Sequence, residues 1–330
     1  MQRRRFMAAA TGLLGLASIG WPGAPVPGEI DQGAPLSSGR HLYRGADLAF
    51  GTTVTIQVVH DNEAAAQAAI REAFAEAHVI DRLMTVHRND SQVQILNRRG
   101  RLDMPHPHLL AVLREAYRMS ALTDGAFDIT VQPLWHASHG LCDRAVAREL
   151  VGWHDVFADE RAVRLQRTGM AITLNGIAQG YATDTALAML RAHGIADALI
   201  NIGEFFGSGR HSSERSWQVG IADPRTSEQM LHAVRLDGRS LATSGDYATA
   251  FRSDFSLHHI VDPATGESPV ELASVSVAAP TAMLADGLST ALMVMGTERG
   301  MELVRKMPGV DALFVGKDGV QRASGGFPWI

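Results

Sequence analysis

The 330-residue chain holds a single cysteine, Cys142. That excludes an internal disulfide, so packing alone must hold the fold, as suits a protein that folds in a reducing compartment before export. No apolar run reaches the roughly 20 residues of a spanning helix, and the mildly apolar stretch ending near Trp21 carries glycines throughout. Clustered charge is also scarce. Lys and Arg number 30 against 35 Asp and Glu, for a net charge of −5. Arg3-Arg4-Arg5 is the one charge run, and an acidic chain without a basic stripe is a poor nucleic-acid binder. Low-complexity segments and short-period repeats are missing, which excludes a solenoid. The 14 histidines include no His-Glu-x-x-His, so His106 with His108, or His136 with His139, lack a zinc-site setting.

What is present begins with an address. Arg3-Arg4-Arg5-Phe6-Met7 fits a twin-arginine export signal: paired arginines, a spacer, an aromatic and an apolar residue. Residues 1–30 read as that signal and the start of a linker, 31–42 as linker, and 43–330 as one catalytic domain, placed in the periplasm. No cysteine follows the apolar run, so a lipoprotein anchor is excluded.

Periodicity and caps predict helices over 62–84 (Asn62 as N-cap), 107–123, 143–151, 178–193, 281–295 and 298–307. Strands are predicted over 52–59, 162–165, 170–174, 198–203, 217–222, 232–236, 257–261, 274–279 and 312–315. Many adjoin Gly-containing turns such as Asp237-Gly238 and Asp318-Gly319, so antiparallel hairpins dominate and the class is α+β.

Three motifs concentrate the chemistry. Thr123-Asp-Gly-Ala-Phe-Asp-Ile-Thr-Val-Gln-Pro133 reads as a tight turn leading into a β-prone run stopped by Pro133. In it, Asp128 satisfies loose backbone N–H groups or binds a ligand. Thr173-Leu-Asn-Gly-Ile-Ala-Gln-Gly-Tyr-Ala-Thr-Asp184 reads as strand, turn and helix start, an arrangement that suits an anion. It carries neither a dinucleotide fingerprint nor a P-loop. Asp286 and Thr290, four apart on an apolar helix closed by Gly296, share one face. A carboxylate inside such a helix is costly unless paired or coordinated, and carboxylate plus hydroxyl is a hard-oxygen set suited to Mg²⁺. The alternative has Asp286 capping a neighbouring loop and Thr290 bonding its own helix.

Together these motifs resemble the FAD:protein FMN transferase (ApbE) family. Leu48-Ala-Phe-Gly-Thr-Thr53, Leu83 to Val93 with Asn97, Ala242-Thr-Ser-Gly-Asp-Tyr247 and His258-His-Ile-Val-Asp-Pro-Ala-Thr-Gly266 match further family signatures. The resemblance implies a T-fold-like α+β core with flavin in a central cleft. It implies FAD contacts at Phe50, His87, Ala126, Phe127, Asp128, Thr173, Gln179 and Ile260, and Mg²⁺ on Asp286, Thr290 and the Gly176 carbonyl. His259 would stand at the reacting phosphate. The chain departs from the pattern at Gln179 (Lys or Glu in many members), Thr173 (Asp), His87 (Tyr), Phe50 (Met) and Ile202-Gly203-Glu204-Phe205, where a Gly-Gly-Asp-like turn is usual. Gln179 with Glu204 looks like the nitrous-oxide-reduction accessory branch, NosX.

The activity so implied is Mg²⁺-dependent transfer of FMN from FAD to a Ser or Thr hydroxyl, releasing AMP. The acceptor would be an extracytoplasmic domain of a NosR-type flavoprotein with a Ser/Thr-Gly-Ala-Ser/Thr sequence. His259 acts as base, or the acceptor loses its proton late to solvent or phosphate. Two other classes stay open, an FAD-binding protein without turnover and a Mg²⁺-dependent FAD pyrophosphatase giving FMN and AMP.

Overall fold

Ten strands of the computed structural model, which describes residues 25–212, 215–226 and 228–330, form one sheet in nearly unbroken chain order. The twin-arginine segment lies outside the described residues. From one edge the sheet runs Glu29–Ile30, His41–Ala49, Thr52–His60, Asp197–Asn201 and Phe205–Ser208. It continues through Ser240–Gly245, Leu272–Ala279 and Asp311–Gly316 to Gln321–Ala323, with Ala34–Pro35 beside His41–Ala49. Every pairing is antiparallel. The sheet is therefore a meander, and the functional segments hang in its connections.

The largest connection, between Thr52–His60 and Asp197–Asn201, carries α1 (Glu63–Met84), α2 (Gln92–Arg99), α3 (Pro107–Leu122), α4 (Gln132–Ser138), α5 (Arg144–Glu149) and α6 (Ala178–Ala192). It also carries a small sheet of Arg101–Asp103, Ala162–Leu165 and Val156–Ala158. A further helix, α7 (Ala282–Arg305), links Leu272–Ala279 to Asp311–Gly316. Asn62 caps α1 by accepting from the Ala65 N–H at 2.9 Å. Ala66, Ala69, Ile70, Ala73, Phe74, Ala77, Ile80 and Met84 then form its buried stripe. In α7, Gly296 leaves helical geometry (φ 78°, ψ 177°), so the stop at Gly296 and the new start after it both hold.

Three layers result. Helices α1, α6 and α7 pack on one face of the sheet over the main core. On the other face a two-stranded ribbon, Trp217–Ala222 with Met230–Leu236, buries Trp217, Ile221, Val234 and Leu236 against Leu42, Val59, Leu241 and Leu313. Leu272–Ala279 is buried along its whole length because it is covered on both sides. The predicted α+β class with antiparallel sheets is what forms.

Three β-prone runs are not strands. Ile129–Val131 is a 3-10 turn capped by Asp128, and Pro133 opens α4 instead of stopping a strand. Its fixed φ and missing N–H suit a first helical turn. Residues 170–174 are buried but irregular, because the Asn97 amide takes both backbone groups of Ile172 (2.7 and 2.8 Å) and Thr173 N–H donates to the Ile129 carbonyl at 2.8 Å. Residues 257–261 form only an isolated bridge, His258 to Ala250. There the Ser268 hydroxyl accepts from His258 N–H and donates to its carbonyl (3.0 and 2.8 Å). In the last two cases a side chain takes the place of a neighbouring strand.

Candidate active site

The site is built where α6 meets α7. Asp184, on α6, accepts the N–H groups of Ala282 and Met283 at 2.7 and 2.9 Å, and Thr281 caps the same helix start through Leu284 N–H. These bonds satisfy the open donors of α7 and fix its first turn against α6. Gly180 permits that closeness: a Cβ there would stand 2.7 Å from Met283 Cα. Its own N–H donates to Asp286 Oδ2 at 2.9 Å.

Asp286 is 4 % exposed. Burial, with the nearby Asp184 charge, pushes its carboxyl from the ordinary 3.8 up to about 7, against the lowering effect of the Gly180 N–H. One turn on, Thr290 Oγ1 lies 3.2 Å from Ser244 Oγ, which also bonds Ser289 Oγ at 2.7 Å. Gly176 faces the same point: a Cβ on it would stand 3.0 Å from Thr290 Oγ1 and 3.5 Å from the Phe127 ring. Asp286, Thr290, Gly176 and Phe127 are thus one cluster. Asp286 does cap a neighbouring element, while Thr290 bonds across to Ser244 and not to its own helix.

The donor set fits a divalent hard cation. Among the described residues no group of three His, Cys, Asp or Glu side chains makes a metal cluster. What is gathered is a buried carboxylate and hydroxyls beside the Gly176 backbone, hard-oxygen groups of the kind Mg²⁺ takes with substrate phosphates.

Around this centre, Gln179 is buried, its Nε2 makes no hydrogen bond among the described residues, and a Cβ on Gly203 would run into its amide. Glu204 follows, buried, its carboxyl raised well above the ordinary 4.5 by desolvation and then by the Asp286 charge. Thr183 Oγ1 donates to the Glu204 carbonyl at 3.2 Å.

The Thr123–Pro133 loop lies alongside. Phe127 is buried, with its N–H on Thr123 Oγ1. Both oxygens of Asp128 serve the fold: Oδ1 accepts from Thr130 N–H and hydroxyl (2.7 and 2.6 Å), and Oδ2 from Trp153 N–H (3.1 Å). Burial still raises its carboxyl above 3.8. Ala126 stands in the turn, its N–H on the Thr123 carbonyl.

Phe50 and His87 gather at the end of α1. Phe50 has positive φ (54°), unusual for a bulky residue, in a two-residue hairpin turn with Gly51. Its N–H donates to Asp81 Oδ2 at 3.0 Å. His87 is exposed, its N–H on Thr85 Oγ1. It lines a cavity of about 370 Å³ with Asn97, Gln132, Trp135 and His136, of which Gln132 had no signal beyond its place after the Asp128 loop. Ile260 is buried in the main core.

The loop from Asp246 to Glu271 carries His259. His259 N–H donates to the Thr249 carbonyl at 3.0 Å, while its Nδ1 is buried and makes no hydrogen bond. Desolvation, then the neighbouring His258, pushes the imidazole from 6.5 down to about 4, so it stands neutral. His258 is pinned instead, Nε2 to the Pro269 carbonyl at 3.0 Å. Beyond them the chain turns at Asp262-Pro263, Gly266 N–H on the Asp262 carbonyl.

Residues 50–314 match the sequence model of the ApbE family. A FAD:protein FMN transferase of Treponema pallidum is 31 % identical over 86 % of this chain and 87 % of its own length. One from Salmonella typhimurium is 32 % identical over 72 % and 74 %. Among solved structures, the flavin transferase ApbE from Vibrio cholerae superposes with a TM-score of 0.78 at 26 % identity, covering 88 % of this chain and 100 % of that one. The Pseudomonas stutzeri flavinyl transferase ApbE, apo form, gives 0.76 at 29 % identity over 87 % and 95 %. The chain belongs to the ApbE family.

Proposed function

We propose that this chain is a FAD:protein FMN transferase which moves FMN from FAD to a Ser or Thr hydroxyl of another protein and releases AMP. The observation that carries the reading is the cluster of buried Asp286 with half-buried Thr290 and Gly176 against Phe127, in a chain whose relatives bear that name. The acceptor oxygen forms a bond to the FMN-side phosphorus as the bond to the AMP oxygen breaks, so alignment and charge neutralisation are what the protein supplies. Asp286, Thr290 and the Gly176 carbonyl hold Mg²⁺, which contributes Lewis-acid stabilisation of phosphate oxygens. Neutral His259, with a free ring nitrogen, accepts the hydroxyl proton. Phe50, His87, Ala126, Phe127, Asp128, Thr173, Gln179 and Ile260 form the FAD-contacting set, Phe50 and His87 at the end of α1 and the others around the metal cluster and main core. Asp128 holds its loop in shape.

The twin-arginine sequence places the reaction in the periplasm, and Gln179 with Glu204 favours the nitrous-oxide branch. The acceptor is accordingly an extracytoplasmic NosR-type domain, modified on the last Ser or Thr of a Ser/Thr-Gly-Ala-Ser/Thr sequence. Incubating the chain with FAD, Mg²⁺ and that domain should add one covalent FMN to the domain by intact mass. FAD split to free FMN and AMP with the domain unmodified would make the chain a pyrophosphatase. Intact FAD would make it a binding protein.

A further inference from the structure

We infer that Glu204 is the second carboxylate of the cation site, facing the same ion as Asp286; this rests on the metal reading of Asp286 given above. The placement comes from α6. Gly180 and Thr183 are one turn apart on that helix: the first donates its N–H to Asp286 Oδ2 and the second its hydroxyl to the Glu204 carbonyl. Gln179, on the same turn, packs on Gly203 and so holds the chain at the residue before Glu204. From the far side, the Thr243 main chain lies beside the Glu204 carboxylate, and the next residue, Ser244, bonds Thr290 Oγ1. Helix α6 and the strand Ser240–Gly245 thus hold the Glu204 segment beside Asp286 and Thr290.

Both carboxylates are buried, at 7 % and 4 % exposure. Among the described residues neither forms an ion pair with a basic side chain. Two like charges in a water-poor interior repel, so without a counter-charge this pair is driven to hold protons. A divalent cation supplies that counter-charge, and Mg²⁺ is usually held by one or two carboxylates plus substrate phosphates.

The test is Mn²⁺ binding to the full chain without FAD, read by electron paramagnetic resonance of the free ion, for wild type, Asp286→Ala, Glu204→Gln and Glu204→Asp. Glu204→Gln keeps the volume, and should weaken binding about 10- to 100-fold with an unchanged circular dichroism spectrum. Glu204→Asp, which restores the charge, should recover much of that loss. Wild-type affinity in Glu204→Gln, with Asp286→Ala impaired, overturns the role of Glu204 alone. An equal loss in Glu204→Asp and Glu204→Gln also overturns it, since charge would not be what matters. No Mn²⁺ binding by wild type, or binding indifferent to Asp286→Ala, removes the metal reading and this inference together.

Discussion

Gly180 N–H donates to Asp286 Oδ2 at 2.9 Å, tying the first turn of α6 to the carboxylate one turn into α7. The bond exists because Gly180 has no side chain to keep the helices apart. Gly180→Ala gains about 1 kcal/mol of helix propensity, yet its methyl would stand 2.7 Å from Met283 Cα. Backbone cannot rotate away as a side chain can, so overpacking of about 1–3 kcal/mol wins. The variant should melt lower than wild type and lose transfer activity. A melting temperature raised with activity intact would show that the helices have room.

Removing the carboxylate itself separates metal chemistry from folding. Asp286→Ala should abolish FMN transfer, since losing a cation clamp removes several kcal/mol of transition-state stabilisation. FAD binding should persist in weakened form, and Thr290→Val should show the same pattern more mildly. Wild-type transfer rates in Asp286→Ala would sink the assignment.

The metal-free protein should carry a pH signature of this group. Asp286 titrates near 7 in the fold against 3.8 ordinarily, so the folded state holds its proton more tightly than the unfolded chain. That contribution is fully present below about 3.8 and is lost as pH rises through about 7. His259 acts oppositely: lowered from 6.5 to about 4, it contributes above 6.5 and loses that contribution as pH falls through 4. Because the two overlap, the informative quantity is a difference. In chelator, the melting temperature of Asp286→Asn minus that of wild type should grow between pH 4 and 7, reflecting on the order of a few kcal/mol. A flat or falling difference would mean that Asp286 is not desolvated.

Much of the helical frame was legible because caps and apolar spacing act locally. Asn62 marked the start of α1, and Gly296 marked the break in α7. What escaped depends on distant partners. The run 170–174 has strand composition, yet its backbone bonds go to Asn97, 75 residues away. The strand His41–Ala49 was not predicted, and α2 was seen only as a signature around Asn97. For the site, the spacing of Asp286 and Thr290 gave a shared face. No local pattern announces that Asp184 caps α7 or that Glu204 reaches the Asp286 environment, since both join segments far apart in the chain.

The proposed twin-arginine export can be tested apart from the chemistry. Replacing both Arg3 and Arg4 by Lys keeps the charge but removes the pair that a receptor reads. Unprocessed protein should accumulate in the cytoplasm, as fractionation and intact mass would reveal. Normal periplasmic levels of the double variant would point to general secretion or a membrane anchor.

The adjacent histidines allow a paired test of the base. His258 is fixed through Nε2, N–H and carbonyl to Pro269 and Ser268, so its substitution should act on stability. His259 uses only its backbone N–H for structure, leaving a neutral imidazole with a free Nδ1. A ring desolvated to about 4 is always ready to accept a proton at neutral pH, and it becomes more basic once phosphate charge lies beside it. His259→Ala should therefore cut turnover by roughly two to four orders of magnitude, with little change in FAD affinity or melting temperature. His258→Ala should lower the melting temperature while leaving a larger share of turnover per folded molecule. A loss below tenfold in His259→Ala would assign the proton to solvent or phosphate and leave His259 a positioning residue.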